Sequence, residues 1–214
     1  MSGTERVILC FGDSNTWGYD VKTGRRLSRA ERWPGVVEIA LGAGYRVIEG
    51  GLRGRTTGFV PLKLEEKEYL NGRRDFYGWL RTASPLDLVI IMLGTNDFQR
   101  DIRAPPVNSA RCLECLLDTV RTSKEGPGGT IPKSLLVIPP PMGKLELMAN
   151  MYGGGEGLLN EARLLYMKVA VNQECPFLDA GPVVGRADEG HLDPVQHLRL
   201  GKVVAAEVAR LLTK

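Results

Sequence analysis

The chain carries a serine, a glycine, an asparagine and a histidine in settings that suit acyl transfer. Ser14 follows an apolar run in "ILCFGDSNTWG", residues 8 to 18. A serine there is either part of an ordinary strand-to-helix turn, with Asp13 as a cap, or a nucleophile placed at a sheet edge. A serine hydroxyl needs a base to take its proton, and a histidine does this near neutral pH because its ordinary pKa is about 6.5. "DEGH", residues 188 to 191, supplies His191 with Asp188 three residues before it, a carboxylate suited to holding an imidazole in one tautomer. The chain has two histidines, and the other, His197, reads as a surface or capping residue because it lacks such a partner. The oxyanion of a tetrahedral intermediate needs N–H donors. Ser14, Gly54 in "GLRGRTT" and Asn96 in "GTND" offer them, each donor of this kind contributing about 3 kcal/mol to lowering the barrier.

These residues meet only if the fold brings distant loops together. Apolar runs of strand length recur at 6–12, 45–50, 86–94, 134–140 and 175–181, mostly without polar alternation, as expected for strands covered on both faces. Helical patterns separate them at 33–41, 107–123, 158–172 and 194–212, the last opening with Asp193 as cap and Pro194 in its first turn. A short helix near Leu62 to Leu70 is also expected. Strand and helix in alternation specify right-handed crossovers and a mostly parallel sheet in a three-layer α/β/α sandwich, a single domain over residues 1–214. In such a sheet, ligands bind where the loops leave the carboxyl ends of the strands, and each candidate residue follows a strand.

Composition narrows the partners. Hydrophobic residues make up 43% and charged residues 25%, ordinary for a globular chain, and 28 basic against 25 acidic residues leave a net charge of +3, too small to argue for nucleic acid. The apolar run Val7 to Phe11 is too short for a signal-peptide core or a membrane span, so a cytoplasmic location is expected. Cys112 and Cys115 form an isolated pair with no second pair or nearby histidine, a poor zinc site; with Cys10 and Cys175 they read as free thiols. "GLRGRTT" lacks the lysine of a phosphate cradle, which weighs against the non-enzymatic alternative, a flavodoxin-like ligand-binding module. Trp17, with Met142, Leu145 and Met151, is a candidate for lining a substrate pocket. Arg53 and Arg55 either meet a negatively charged substrate or lie solvated at the surface.

"FGDSNTWG", "GLRGRTT", "IIMLGTND" and "DEGHLD" resemble, in order and spacing, the sequence blocks of SGNH hydrolases, the GDSL-type esterases, and look most like their bacterial arylesterase and acyltransferase branch. The resemblance spans nearly the whole chain. It implies a flavodoxin-like sandwich with a five-stranded parallel sheet and no cofactor. It further implies Ser14 as nucleophile, Asp188 and His191 completing the triad, and Gly54 and Asn96 beside Ser14 in the oxyanion hole. The activity implied is hydrolysis of small esters with short acyl groups, with acyl transfer to alcohols in addition; carbohydrate O-deacetylase and thioesterase or lysophospholipase chemistry would use the same parts. A small-molecule ester is then the partner, without membrane or nucleic acid, and a homo-oligomer is left open. Asn15 stands where the family name expects leucine, and Glu49 where many members have asparagine, departures that bear on substrate preference rather than on the chemistry.

Overall fold

The computed structural model describes residues 5–60 and 65–213. In chain order the elements are β1 Arg6–Gly12, α1 Ser14–Trp17, α2 Trp33–Leu41, β2 Tyr45–Gly51, α3 Gly72–Ala83, β3 Leu88–Met92, α4 Pro106–Ser123, β4 Lys133–Ile138, α5 Ala149–Tyr152, α6 Glu156–Asn172, β5 Phe177–Asp179, α7 Ala180–Val184 and α8 Pro194–Leu212. The strands form one all-parallel sheet in the order β2-β1-β3-β4-β5. Helices cover both faces, the α/β/α sandwich that the alternation of strand and helix requires.

The strands are near-continuous apolar runs because both faces are packed. On one face Leu9, Phe11, Val89 and Ile91 meet Phe76 and Leu80 of α3, Leu113 of α4 and Tyr166 of α6. On the other, Ile8, Cys10, Leu88 and Ile90 meet Trp33 of α2 and Leu200 and Val204 of α8. Burying each large apolar side chain contributes about 2 kcal/mol, and this two-sided core fixes the height of the strand ends. Gly12 lies level with Gly51 on one side and Met92 on the other, so the loops after β1, β2 and β3 leave the sheet at one rim.

Most elements fall where the periodicity places them; β1 keeps its expected bounds, β2 runs one residue further, and the last three strands stop short of their apolar runs. Expected at 86–94, β3 spans Leu88–Met92; expected at 134–140, β4 stops at Ile138 because Pro139, Pro140 and Pro141 have no N–H to donate. At the amino end of β3, the Asp87 carboxylate accepts from the Val7 N–H at 2.8 Å. Helix α3 has no counterpart among the sequence expectations. Gly72, Gly78 and a run of charges hide its apolar stripe of Phe76, Leu80 and Ala83, and Asn71 caps it by accepting from the Arg73 N–H. Of the short helix expected near Leu62 to Leu70, residues 62–64 lie outside the described residues, and Glu65–Leu70 forms 3-10 turns. The start of α8 matches its sequence signature: Asp193 accepts from the Gln196 N–H while the Gln196 side chain accepts from the Asp193 N–H.

Candidate active site

Ser14 opens α1 directly after β1. Its turn is held by Asp13, whose carboxylate accepts from the Asn15 N–H at 2.8 Å, and it is packed so closely that a Cβ on Gly51 would fall 2.3 Å from the Trp17 nitrogen. Serine at that point therefore follows from the sheet itself. Burial raises the Asp13 pKa to about 7, against the opposing pull of the Asn15 N–H and the Arg55 charge.

His191 arrives from the loop between α7 and α8. Its Nε2 lies 3.0 Å from the Ser14 Oγ, and its Nδ1 lies 2.7 Å from the Glu189 carbonyl oxygen. A carbonyl only accepts, so Nδ1 carries the proton and Nε2 presents its lone pair to the serine hydroxyl, the tautomer that a general base needs. Burial lowers the His191 pKa; the Glu189 carbonyl opposes that shift and the Arg53 charge adds to it, so the ring is neutral at neutral pH.

The loop carrying His191 is held by side chains from elsewhere. Asn15 clasps it on both sides, donating from Nδ2 to the Gly190 carbonyl at 3.1 Å and accepting on Oδ1 from the Leu192 N–H at 2.9 Å. Glu189 has φ +58°, a conformation uncommon for a residue with a side chain, and its carboxylate accepts from the Glu146 and Met148 N–H groups, both at 2.8 Å. The same residue thus ties the 139–157 connection to the imidazole.

Asp188, expected against His191, is placed differently. Its carboxylate accepts from the Lys144 N–H at 2.8 Å, and no hydrogen bond joins it to the ring; the Glu189 carbonyl occupies Nδ1 instead. The physical reason is local: Asp188 begins a tight 3-10 turn that points its carboxylate toward the 143–144 backbone, where a Cβ on Gly143 would meet it at 2.1 Å.

The residues expected to donate to an oxyanion, Ser14, Gly54 and Asn96, border one cavity. Gly54 has φ +80°, which glycine adopts without strain. Asn96 donates one amide N–H to the Arg55 carbonyl at 2.9 Å, while its Oδ1 accepts from the Tyr152 hydroxyl at 2.8 Å and from the Gln99 side chain at 2.6 Å. That triple grip fixes the amide's orientation and leaves its second N–H for a ligand. Behind it, the Asp97 carboxylate accepts from the Thr57 N–H at 2.8 Å and from the Thr57 and Ser109 hydroxyls, and burial raises its pKa to about 6 against those bonds. Asp97 thereby joins the loops after β2 and β3, a structural role.

Ser14, Gly54, Asn96 and His191 all line one cavity of about 580 Å³, which Met151 also borders. Trp17, expected on its wall, stands behind it: Tyr19 lines the cavity, and Trp17 packs beside Tyr19 under Arg26 and Arg53. Met142 is buried in the core rather than lining the site, and Leu145 packs partly against that core. Arg55 is likewise not at the surface, since its guanidinium donates to the Gly12 carbonyl at 2.8 Å and to the Gly50 carbonyl, bracing the strand ends. Glu49 pairs with Arg26 and Arg32, tying the 19–32 segment to β2. His197 is fully buried and accepts from the Trp33 N–H at 3.3 Å, capping α2 from a neighbouring helix.

Asn15, Glu189, Tyr152 and Gln99 escape a reading of spacing because each acts through a loop remote in sequence. Asn15 alone left a signal, a polar side chain where an apolar one is expected. Among the described residues, no group of three or more His, Cys, Asp or Glu is placed to hold a metal ion, and no helix is long and apolar enough to cross a membrane.

A nucleophile, a base in the right tautomer and convergent amide donors at the rim of a parallel sheet define a serine hydrolase. The GDSL-like lipase/acylhydrolase family model matches residues 10–199. The native aryl esterase of M. smegmatis is 38% identical, with 96% of this chain and 99% of that chain covered and a TM-score of 0.88. A carbohydrate acetylesterase from Sinorhizobium meliloti is 36% identical over 96% of this chain and 99% of its own, with a TM-score of 0.87. A lipase/acylhydrolase from Enterococcus faecalis, 20% identical with 95% of each chain covered and a TM-score of 0.68, shares the fold. No curated protein matches. The chain belongs to the GDSL-like lipase/acylhydrolase family, and it is a serine esterase acting on small-molecule esters.

Proposed function

We propose that Ser14 attacks the carbonyl of a small ester with a short acyl group, in the manner of an arylesterase. The observation that carries this reading is the 3.0 Å contact between Ser14 Oγ and His191 Nε2, with Nδ1 already committed to a carbonyl. As the serine oxygen bonds to the ester carbon, its proton passes to Nε2 and the carbonyl electrons move onto oxygen. The Ser14 and Gly54 N–H groups and the Asn96 amide meet that oxyanion. Collapse expels the alcohol, which takes the proton from His191, and leaves an acyl group on Ser14. Water, or a second alcohol, then repeats the sequence with His191 as base to release the acid or a new ester. Asp188 holds the base loop through Lys144 in this reading, while Glu189 fixes the tautomer.

The cavity volume suits a small ester, and the M. smegmatis relative supports an aryl alcohol part. The Sinorhizobium meliloti relative supports acetylated sugars as a second substrate group for the same machinery. Free thiols at all four cysteines support a reducing, cytoplasmic setting. Release of 4-nitrophenol from its acetate tests the reading. Ser14→Ala is expected to lower kcat on the order of 10⁴-fold or more with an unchanged circular dichroism spectrum. Turnover by that variant within about tenfold of the parent would overturn the assignment.

A further inference from the structure

Two arginines on the cavity wall stand without the partners that their neighbours have. Arg26 and Arg32 both bind the Glu49 carboxylate, whereas Arg53 and Arg100 have no carboxylate partner among the residues whose side chains are described, which leaves out those of 65 and 66. Arg53 is nevertheless held in place. Its guanidinium carbon lies 4.0 Å from the centre of the Tyr19 ring and 5.6 Å from that of Trp17, so this exposed side chain is drawn over two aromatic rings. Tyr19 in turn packs edge-on against His191, with ring centres 5.1 Å apart, which sets this cation beside the catalytic imidazole.

Lys67 adds a third positive charge to the wall, and Asp101 is the one acid among the described lining residues. That arrangement is unfavourable for the reaction of a neutral ester. When His191 takes the serine proton it becomes a buried cation with a neutral carbonyl on Nδ1; burial and the Arg53 charge disfavour that form, and the Glu189 carbonyl and charge offset them in part. A negative charge brought by the substrate and docked on Arg53 would offset this repulsion at the moment the imidazolium forms.

We infer, building on the esterase reading above, that the site selects esters bearing a carboxylate, with Arg53 as its main contact and Arg100 assisting across the cavity. Planar N–H edges suit a two-point bond to a carboxylate, and both arginines are exposed where they border the cavity, open to an incoming anion. Both arginines are specificity-determining residues for the reaction, separate from the atoms that break the ester bond.

Two pairs of esters, each matched in shape, test this: 4-acetoxybenzoate against its methyl ester for a charge on the alcohol side, and 4-nitrophenyl hydrogen adipate against 4-nitrophenyl hexanoate for a charge on the acyl side. With rates normalised to hydroxide-catalysed hydrolysis, the anionic member of at least one pair is expected to show about a tenfold higher kcat/KM, and the pair that does so places the charge. Arg53→Gln should abolish the preference and Arg100→Gln reduce it, and about 0.5 M salt should weaken it in the parent enzyme. Equal or faster turnover of the neutral member in both pairs would overturn the inference while leaving the esterase reading intact. So would an Arg53→Gln variant that slows both members of a pair in the same proportion. Failure to hydrolyse any of the four esters would overturn both.

Discussion

The turn that carries Ser14 and the loop that carries His191 meet at the Ser14–His191 hydrogen bond and at the two made by Asn15, yet they are built in opposite ways. Ser14 sits at the end of β1, which pairs in parallel with β2 and β3, so backbone ladders on both sides determine where the strand stops and the hydroxyl begins. The His191 loop lies outside the sheet and includes a non-glycine residue with φ +58°. Side chains hold it: Asn15 from the nucleophile turn, and Glu189 reaching to the 146–148 backbone. The nucleophile is placed by topology and the base by individual contacts, so single substitutions should disturb the base loop far more readily than the serine turn.

Deleting the base tests the meeting point itself. His191→Ala should lower kcat about as severely as loss of the serine, on the order of 10⁴-fold or more, while the same change at His197 should act mainly on stability; the reverse ranking in 4-nitrophenyl acetate turnover would assign the base to the wrong ring. Asn15→Leu comes next. It leaves the Gly190 carbonyl and Leu192 N–H unpaired and frees the loop, so kcat should fall by roughly 10- to 100-fold with little change in KM. A rise in KM with kcat preserved would place Asn15 in substrate binding instead.

Asp188→Asn sharpens the comparison further. Because the Asp188 carboxylate accepts from Lys144 rather than from His191, its amide should cost less than about tenfold in kcat. A loss of 10³-fold or more would mean that the carboxylate reaches the imidazole in the working enzyme.

How much of this was legible in the sequence follows the same division. The strands, their parallel direction and the residues at their carboxyl ends are legible in the apolar runs and the loops after them, because the sheet enforces their positions; the strand order is not. Ser14, Gly54, Asn96 and His191 are expected at this rim on those grounds, and all four line one cavity. The clasp by Asn15, the carbonyl of Glu189 on Nδ1 and the grip of Tyr152 and Gln99 on Asn96 are not legible, since each depends on where a remote side chain points. D-x-x-H spacing pointed to a contact between Asp188 and the ring, but the turn between them directs the carboxylate elsewhere. Helix α3 was hidden by its glycines and charges even though Phe76 and Leu80 are fully buried.

The smallest effect on activity comes from the second histidine. Burial pushes the His197 pKa down to about 4, with the neighbouring Asp193 charge opposing the shift. The unfolded chain therefore binds a proton below about pH 6.5 that the fold refuses until about pH 4, so stability is lost as pH falls through that window, by on the order of 3 kcal/mol. Urea midpoints should decline less steeply between pH 6.5 and 4.5 in His197→Gln than in the parent, and parallel curves would remove His197 from the account.

The pairing of Ser14 with His191 is tested most directly by labelling with a fluorophosphonate and locating the adduct by peptide mass spectrometry. The mass increase should fall on Ser14, at a rate that drops only at pH below the ordinary histidine value of about 6.5, because burial lowers the His191 pKa, and that is nearly abolished in His191→Ala. An adduct on another residue, or undiminished labelling of Ser14 without His191, would contradict the account.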